Sequence, residues 1–494
     1  MNPLGRLAWQ TAIYGLSSIV GRLINFLLVP LYTRVFLPGE YGVVTEMYTY
    51  VGFLLIILTY GMETALFRFS EEKSEKKNTV FSTSLLSVAA TSSLFILIVV
   101  LLRQPLAEIM RYPDNVEYIV LLAFIIGLDA LAAIPFARLR AQDKAMRFVL
   151  LKLTGIGVNI CLVLFFLVLC PWLIQNASTT VTQFISLIYD PTIGVGYVFI
   201  ANLAATSVTL LLLSPVMRSV KPVVDRQLLR QMLIYALPLL VAGLAGWVNE
   251  ALDKLLLKYI LPEDIAMSQV GIYGAVYKLS IMMTIFIQAF RFAAEPFFFA
   301  QAKEKQARQT YAAIMNYFVM ACLIIFLGIT LFIDVVKHFI GPEYHEGLPV
   351  VPILLLANMF LGVYFNLSIW YKLTGQTMYG AWFAIIGAII TILLNIWWIP
   401  IIGYHGSAWA TLICYATLTA ISYTFGQKQY KIPYNIPRLL FMIGLGIILF
   451  FIGQQTRELP QLLMYVIHGT MIVFFVVVMI ITDKGLRVVI KSFR

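Results

Sequence analysis

The residues of this chain that invite chemistry are ionisable side chains set inside long apolar runs. Arg22 stands in the first such run, with Asn25 one helical turn further on, and Glu46 stands in the second. Glu250, Asp253 and Lys254 follow at spacings of three and four, which put them on one face of a helix. Lys278 lies in the next run, with Arg291 and Glu295 towards its far end, while Asp129 and Lys152 occupy two earlier runs. Each such charge costs roughly 2.5–3.5 kcal/mol at the centre of an inserted helix, so each is expected to face a partner or a watery cavity. Arg22, Lys254 and Lys278 are candidates for holding an anionic group, with Arg291 as a candidate at an inner gate. Guanidinium offers paired hydrogen bonds for that task and ammonium a point charge. Glu46, Glu250, Asp253 and Asp129 are candidates for a coupling proton or sodium ion. A plainer expectation stands beside each role. Glu250–Lys254 and Arg291–Glu295 are i,i+4 pairs that would neutralise themselves, Asp129 and Lys152 would pair across two helices, and the acids would balance neighbouring cations.

The elements that must position these groups follow from composition. Of 494 residues, 61% are hydrophobic and 12% charged, at a mean hydropathy of +0.89. Soluble domains are about 45–50% apolar and about 25% charged, so one globular core would not hide this surface. Apolar runs of about 20 residues, each long enough to cross a hydrocarbon core of about 30 Å, recur from end to end. Fourteen spans are expected, near 7–32, 41–62, 80–102, 117–137, 148–170, 194–216, 232–257, 270–296, 311–333, 348–370, 379–398, 406–425, 438–453 and 461–482. The expected fold class is an all-α polytopic membrane protein.

Charge orients the spans. With the N-terminus inside, the inner segments gather most of the 35 Lys and Arg, among them Lys73, Lys76, Lys77, Arg138, Arg140 and Lys144. The outer loops hold Arg34, Arg103, Arg111, Lys258, Lys337 and Arg457. That bias predicts both termini in the cytoplasm, and it also explains the net charge of +11 without nucleic acid. The first run has a basic start at Arg6 but no cleavage pattern, and reads as a retained span.

Several function classes fall away. Cys161, Cys170, Cys322 and Cys414 all lie in apolar runs, in no metal-ligand spacing, and read as small core hydrophobes. No GxxxxGK[ST] loop is present, so no cofactor or nucleotide motor is expected. The longest connection, roughly 171–193, is short, which places function inside the helical bundle or at its mouths. His338, His345 and His405 read as outer-loop residues, and Tyr48 and Tyr50 as packing rather than sugar-stacking groups.

An internal repeat organises the spans. Gln10, Ile13, Tyr14 and Leu16 open the first span as Gln231, Ile234, Tyr235 and Leu237 open the seventh. Leu37, Pro38 and Tyr41-Gly42 match Leu261, Pro262 and Val270-Gly271 after a short insertion, and Gly194 and Gly196 match Gly403 and Gly406. The expected organisation is two pseudo-symmetric six-helix lobes, 1–217 and 218–430, with two further spans and a cytoplasmic tail in 431–494. Such halves usually enclose a site near the midplane and expose it to each side in turn, which is transporter architecture.

The segment Tyr14-Gly15…Gly21-Arg22…Pro30…Tyr32…Arg34…Pro38…Tyr41-Gly42 resembles the opening of bacterial O-antigen and capsule flippases of the multidrug/oligosaccharidyl-lipid/polysaccharide (MOP) exporter superfamily. Val270-Gly271, Tyr273, Tyr277-Lys278 and Asn395…Pro400…Gly403…Gly406 extend the resemblance along the chain. It implies two lobes around a V-shaped cavity and export of undecaprenyl-diphosphate-linked glycans across the bacterial inner membrane. In that setting the diphosphate would be the group held by Arg22, Lys254, Lys278 and Arg291. Membrane lipids and the polysaccharide polymerase or ligase machinery would be the remaining partners. An organic-cation antiporter of the same superfamily is the alternative, although basic groups among the acids favour an anionic cargo. A membrane glycosyltransferase or polymerase is a third class, disfavoured by the short outer loops.

Overall fold

The computed structural model describes residue 23 and residues 26–72, 76–176, 178–302, 304 and 306–482. Among the described residues no strand occurs, and 13 helices are long and apolar enough to cross a membrane. The first expected span, 7–32, falls largely outside the described residues.

The chain divides into two compact units by contact, one of residues 1–258 with 262–271, the other of 259–261 with 272–494. This division follows packing, whereas the expected lobe boundary at 217 follows the repeat. The long seventh span therefore packs with the first unit up to Lys258.

The first unit begins with α1 (Val29–Val35), α2 (Pro38–Thr59) and α3 (Met62–Glu72). Pro38 sits in the first turn of α2, where its missing N–H is no loss, and Glu40 reaches back to accept the Leu37 amide at 2.9 Å. Tyr60 (φ 34°) and Gly61 (φ 73°) break the span between α2 and α3. A Cβ on Gly61 would stand 2.9 Å from the Ala236 carbonyl, so glycine serves both the turn and the close approach. Next come α4 (Lys77–Leu101), the short α5 (Arg103–Ile109) and α6 (Val116–Ala141). The fifth span is α7 (Ala145–Leu164), a π turn at Phe165–Leu169 and α8 (Cys170–Asn176). The π turn sets Phe166 against Tyr197, their ring centroids 4.5 Å apart. After α9 (Thr179–Ile185), α10 (Gly196–Arg218) packs on both α6 and α7 around Ala132, Leu139, Phe148 and Leu213. The unit closes with α11 (Arg226–Ile260), 35 residues and so about 52 Å long, and the start of α12 (Glu263–Leu279).

The second unit holds the rest of α12, α13 (Ile281–Gln301), α14 (Ala307–Leu331) and the short α15 (Ile333–Val336). It continues with α16 (Val351–Leu367), α17 (Ile369–Leu373), α18 (Met378–Ile402) and α19 (Tyr404–Gln429). The last two spans are α20 (Ile436–Gln455) and α21 (Gln461–Thr482). The expected single span 270–296 is broken at Ser280, whose hydroxyl donates to the Tyr277 carbonyl at 2.7 Å and accepts from Asn358 at 3.2 Å. Prolines inside α6, α10, α11, α13 and α18 are tolerated because neighbouring helices can re-satisfy the freed carbonyls. Leu101, Leu211 and Leu462 stay exposed along the spans, as a lipid-facing surface requires.

Candidate functional site

The densest polar knot of the first unit is organised by one tight turn. Helix α5 ends at Ile109 with Met110 as its C-cap, and Arg111 takes the left-handed conformation (φ 57°) that usually falls to glycine. The Tyr112 amide then donates back to the Ala107 carbonyl at 2.7 Å and the Arg111 amide to the Glu108 carbonyl at 3.0 Å. The turn aims three consecutive residues at the end of α11. The Met110 carbonyl accepts from Lys258 Nζ at 2.6 Å. Arg111 donates to the Lys258 carbonyl at 3.2 Å and pairs with Glu263, at the start of α12, also at 3.2 Å. The Tyr112 hydroxyl donates to Glu46 on α2, and its ring lies 3.9 Å from Lys258 Nζ.

Lys258 completes the knot by donating to both oxygens of Glu46 at 2.8 Å. Glu46 is 0% and Lys258 2% exposed, so both charges are out of water. Each group is saturated in the way a buried ion requires: the carboxylate accepts from an ammonium and a phenol, while the ammonium also holds a carbonyl. Lys258 is expected in an outer loop; it stands instead within helix α11, buried near its end, and is the partner of Glu46. Helix α11 carries on past the expected span end at 257, and that extension buries it. The regular step Glu250, Lys254, Lys258 was the available signal.

Beside the knot, the two segments matched by the repeat touch one another. A Cβ on Gly42 would overlap the Met267 carbonyl, and one on Gly271 would overlap the Pro38 carbonyl, with the Gly42 amide 2.9 Å away. The repeat's equivalent glycines are thus the crossing point of α2 and α12.

Deeper along α11, Lys254 donates to Asp253 at 3.1 Å, and both are buried. This neighbour pair replaces the expected Glu250–Lys254 pair, and Glu250 is exposed. Asp129 on α6 accepts from Thr206 on α10 at 2.9 Å, while Lys152, its expected partner, lies over the Phe148 ring at 5.6 Å. Thr206 lines a cavity of about 170 Å³ with Lys152, Asn159, Asn202 and Thr209, and Asn202 donates to the Tyr48 hydroxyl at 2.9 Å. Tyr48 therefore packs and bonds within the helices. Arg22 and Asn25 lie outside the described residues.

In the second unit Lys278 is half-buried near the end of α12. Arg291 lies 3.8 Å over the Phe365 ring, and Glu295 pairs with Lys372 at 2.6 Å rather than with Arg291. Arg291, Glu295, Lys372, Asn366 and Ser368 line one cleft, so Lys372 is a second cation there that the spacing of charges along one span did not reveal. His345 bonds the Lys337 carbonyl at 3.0 Å, and buried His468 bonds Thr456 at 2.9 Å. Among the described residues no three His, Cys, Asp or Glu gather to hold a metal ion.

Solved structures of similar fold include transporters and a flippase. The structure titled lipid II flippase MurJ, inward closed conformation, aligns over 96% of this chain and 98% of its own, with a TM-score of 0.67 at 15% identity. A multidrug resistance MATE family transporter of the MOP superfamily, inward-facing, aligns over 85% of this chain and 94% of its own, with a TM-score of 0.65 at 14% identity. A MOP superfamily transporter from Pyrococcus furiosus, whose title reports reversed polarity of its binding pocket, aligns over 86% and 94% with a TM-score of 0.54 at 15% identity. No curated protein matches the chain by sequence. The family model described as polysaccharide biosynthesis protein matches residues 7–302, more than half of the sequence, and on that match the chain belongs to the polysaccharide biosynthesis protein family.

Proposed function

We propose that this chain is a flippase that moves a polyprenyl-diphosphate-linked oligosaccharide from the cytoplasmic to the periplasmic leaflet by alternating access, for surface polysaccharide synthesis. The observation that carries the reading is cationic side chains along transporter-fold spans in a member of a polysaccharide biosynthesis family. Arg291 and Lys372 share one cleft, and their charge is only partly offset by Glu295. The two cations suit a diphosphate, whose oxygens take paired bonds from a guanidinium and single bonds from an ammonium, although the cleft, about 20 Å³ as it stands, would have to widen to admit one. Lys254, Lys278 and Arg22 complete the candidate set for the headgroup. No covalent chemistry is required. The protein would sit in the bacterial inner membrane with both termini in the cytoplasm, and would hand its product to the polymerase or ligase machinery. Coupling to H⁺ or Na⁺ falls to Asp129 and Glu250, because Glu46 and Asp253 already hold lysines.

A second reading, organic-cation antiport, is favoured by Asp129 beside a polar cavity and by the MATE-like fold. One experiment separates the two. Proteoliposomes are loaded with an undecaprenyl-diphosphate-linked oligosaccharide, and leaflet translocation is compared for wild type, Arg22→Ala, Lys278→Ala and Arg291→Ala. Loss in correctly inserted variants supports the flippase and its headgroup site. Normal transport in all variants discards the site. No lipid transport by wild type, with efflux of organic cations, transfers the case to the antiporter.

A further inference from the structure

Lys258 and Glu46 belong to different repeats. Glu46 is on α2, and the Met110–Tyr112 turn also precedes the repeat boundary, whereas Lys258 and Glu263 lie at the end of the seventh span and the start of the eighth. All of these groups gather at the end of the bundle that loop charge assigns to the outside. We infer that Glu46, Lys258 and the Met110–Tyr112 turn form a polar latch that ties the outer ends of α11 and α12 to the first repeat and is broken once per transport cycle. This rests on the alternating-access part of the proposed function, not on the identity of the cargo.

Three observations support a latch over permanent glue. A buried ion pair gives little net stability compared with apolar residues of similar volume, because desolvation offsets the attraction. Its distinguishing property is reversibility: when the seam opens, water re-solvates both charges, whereas an exposed apolar seam would stay costly. The contacts also converge on a single point. One turn supplies a carbonyl to the Lys258 ammonium, a guanidinium to the Lys258 carbonyl and Glu263, and a phenol to Glu46. Releasing that turn removes the polar hold on the outer ends of α11 and α12, while Gly42 against Gly271 and Gly52 against Trp247 keep both helices packed on α2. Finally, Gly42 and Gly271 meet with no side chains between them, so the helices can rock about this point without rotamers having to repack.

The test reads closure directly and needs no cargo. In a background with Cys161, Cys170, Cys322 and Cys414 replaced by serine, Asn249→Cys serves as reporter. Asn249 is 8% exposed and about 13 Å deeper along α11 than Lys258, at 1.5 Å per residue. Right-side-out vesicles are exposed to a membrane-impermeant maleimide. The parent should label slowly, and Glu46→Gln or Lys258→Met should label about tenfold faster, the room left when the open state is a minor population. Tyr112→Phe, which removes one hydroxyl and keeps the ring, is the variant least able to disturb folding and should label two- to fivefold faster (an order-of-magnitude expectation for one lost hydrogen bond). Unchanged labelling in the single variants overturns the latch. Labelling as expected, with no lipid moved in proteoliposomes, keeps the latch and sinks the flippase reading.

Discussion

Replacing Lys258 by methionine keeps the side-chain length and deletes one ammonium. Three hydrogen bonds go with it, two to Glu46 and one to the Met110 carbonyl. Glu46, 0% exposed, is left as a buried carboxylate without its cation. Removing one partner of a buried pair typically costs about 3–5 kcal/mol, most of it the stranded charge rather than the lost attraction. The double variant Glu46→Leu/Lys258→Met strands nothing, and replacing a whole pair by apolar side chains is neutral or stabilising by about 1–4 kcal/mol. The expected order of thermal stability is therefore double variant equal to or above wild type, with Lys258→Met well below both. Intrinsic fluorescence of the 8 tryptophans during heating of detergent-purified protein gives that order, and two-state unfolding is not needed for a ranking. A double variant as unstable as Lys258→Met would refute the reasoning, since the cost would then come from lost packing and not from the uncompensated acid.

Gly42→Ala and Gly271→Ala should each lower thermal stability by the equivalent of about 1–3 kcal/mol, because the new Cβ must push α2 and α12 apart; Gly39→Ala, whose Cβ would meet nothing within 4 Å, is the silent control. Arg111→Gly should ease the left-handed backbone by about 1 kcal/mol yet lose the grip on Lys258 and Glu263, so the reporter at position 249 should label faster even if thermal stability holds. Asp190, in the connection before α10, accepts the Thr192 amide at 2.9 Å and hydroxyl at 2.8 Å, which holds its carboxyl below the usual range. A depressed carboxyl orders this turn above the unbonded pKa of about 3.9 and loses hold as pH falls through the depressed value. Hydrogen exchange at the Thr192 amide should therefore be slow at neutral pH, faster in strong acid once the intrinsic rate is removed, and fast at every pH in Asp190→Ala.

Hydropathy found the spans because an apolar run and a membrane-crossing helix need the same length. The run 379–398 became Met378–Ile402, and 406–425 became Tyr404–Gln429. It did not find the break at Ser280, since averaging over a window hides one turn whose hydroxyl bonds tie it locally and to Asn358. The candidate site was legible as a set of costly charges but not as a set of pairs. Glu46 was singled out, yet its partner lies 212 residues away and was counted with the loops. Helix spacing suggested Glu250 for Lys254 and Arg291 for Glu295, whereas rotamers and neighbouring helices selected Asp253 and Lys372. The repeat marked Gly42 and Gly271 as equivalent, but equivalence along a chain says nothing of contact.

The turn at Met110–Tyr112 changes where foreign sequence can be inserted. Connections usually accept insertions, since their ends are held and their middles are not. Here the middle does the holding. One added residue between Ala107 and Tyr112 would rotate a carbonyl, a guanidinium and a phenol away from three different partners at once. By contrast, the tip at Gly375-Gln376 is exposed, and a Cβ on Gly375 would meet nothing within 4 Å. An epitope or protease site placed at Gln376 should report sidedness without disturbing the protein. The same tag at Arg111 should give a protein that reaches the membrane but labels rapidly at position 249.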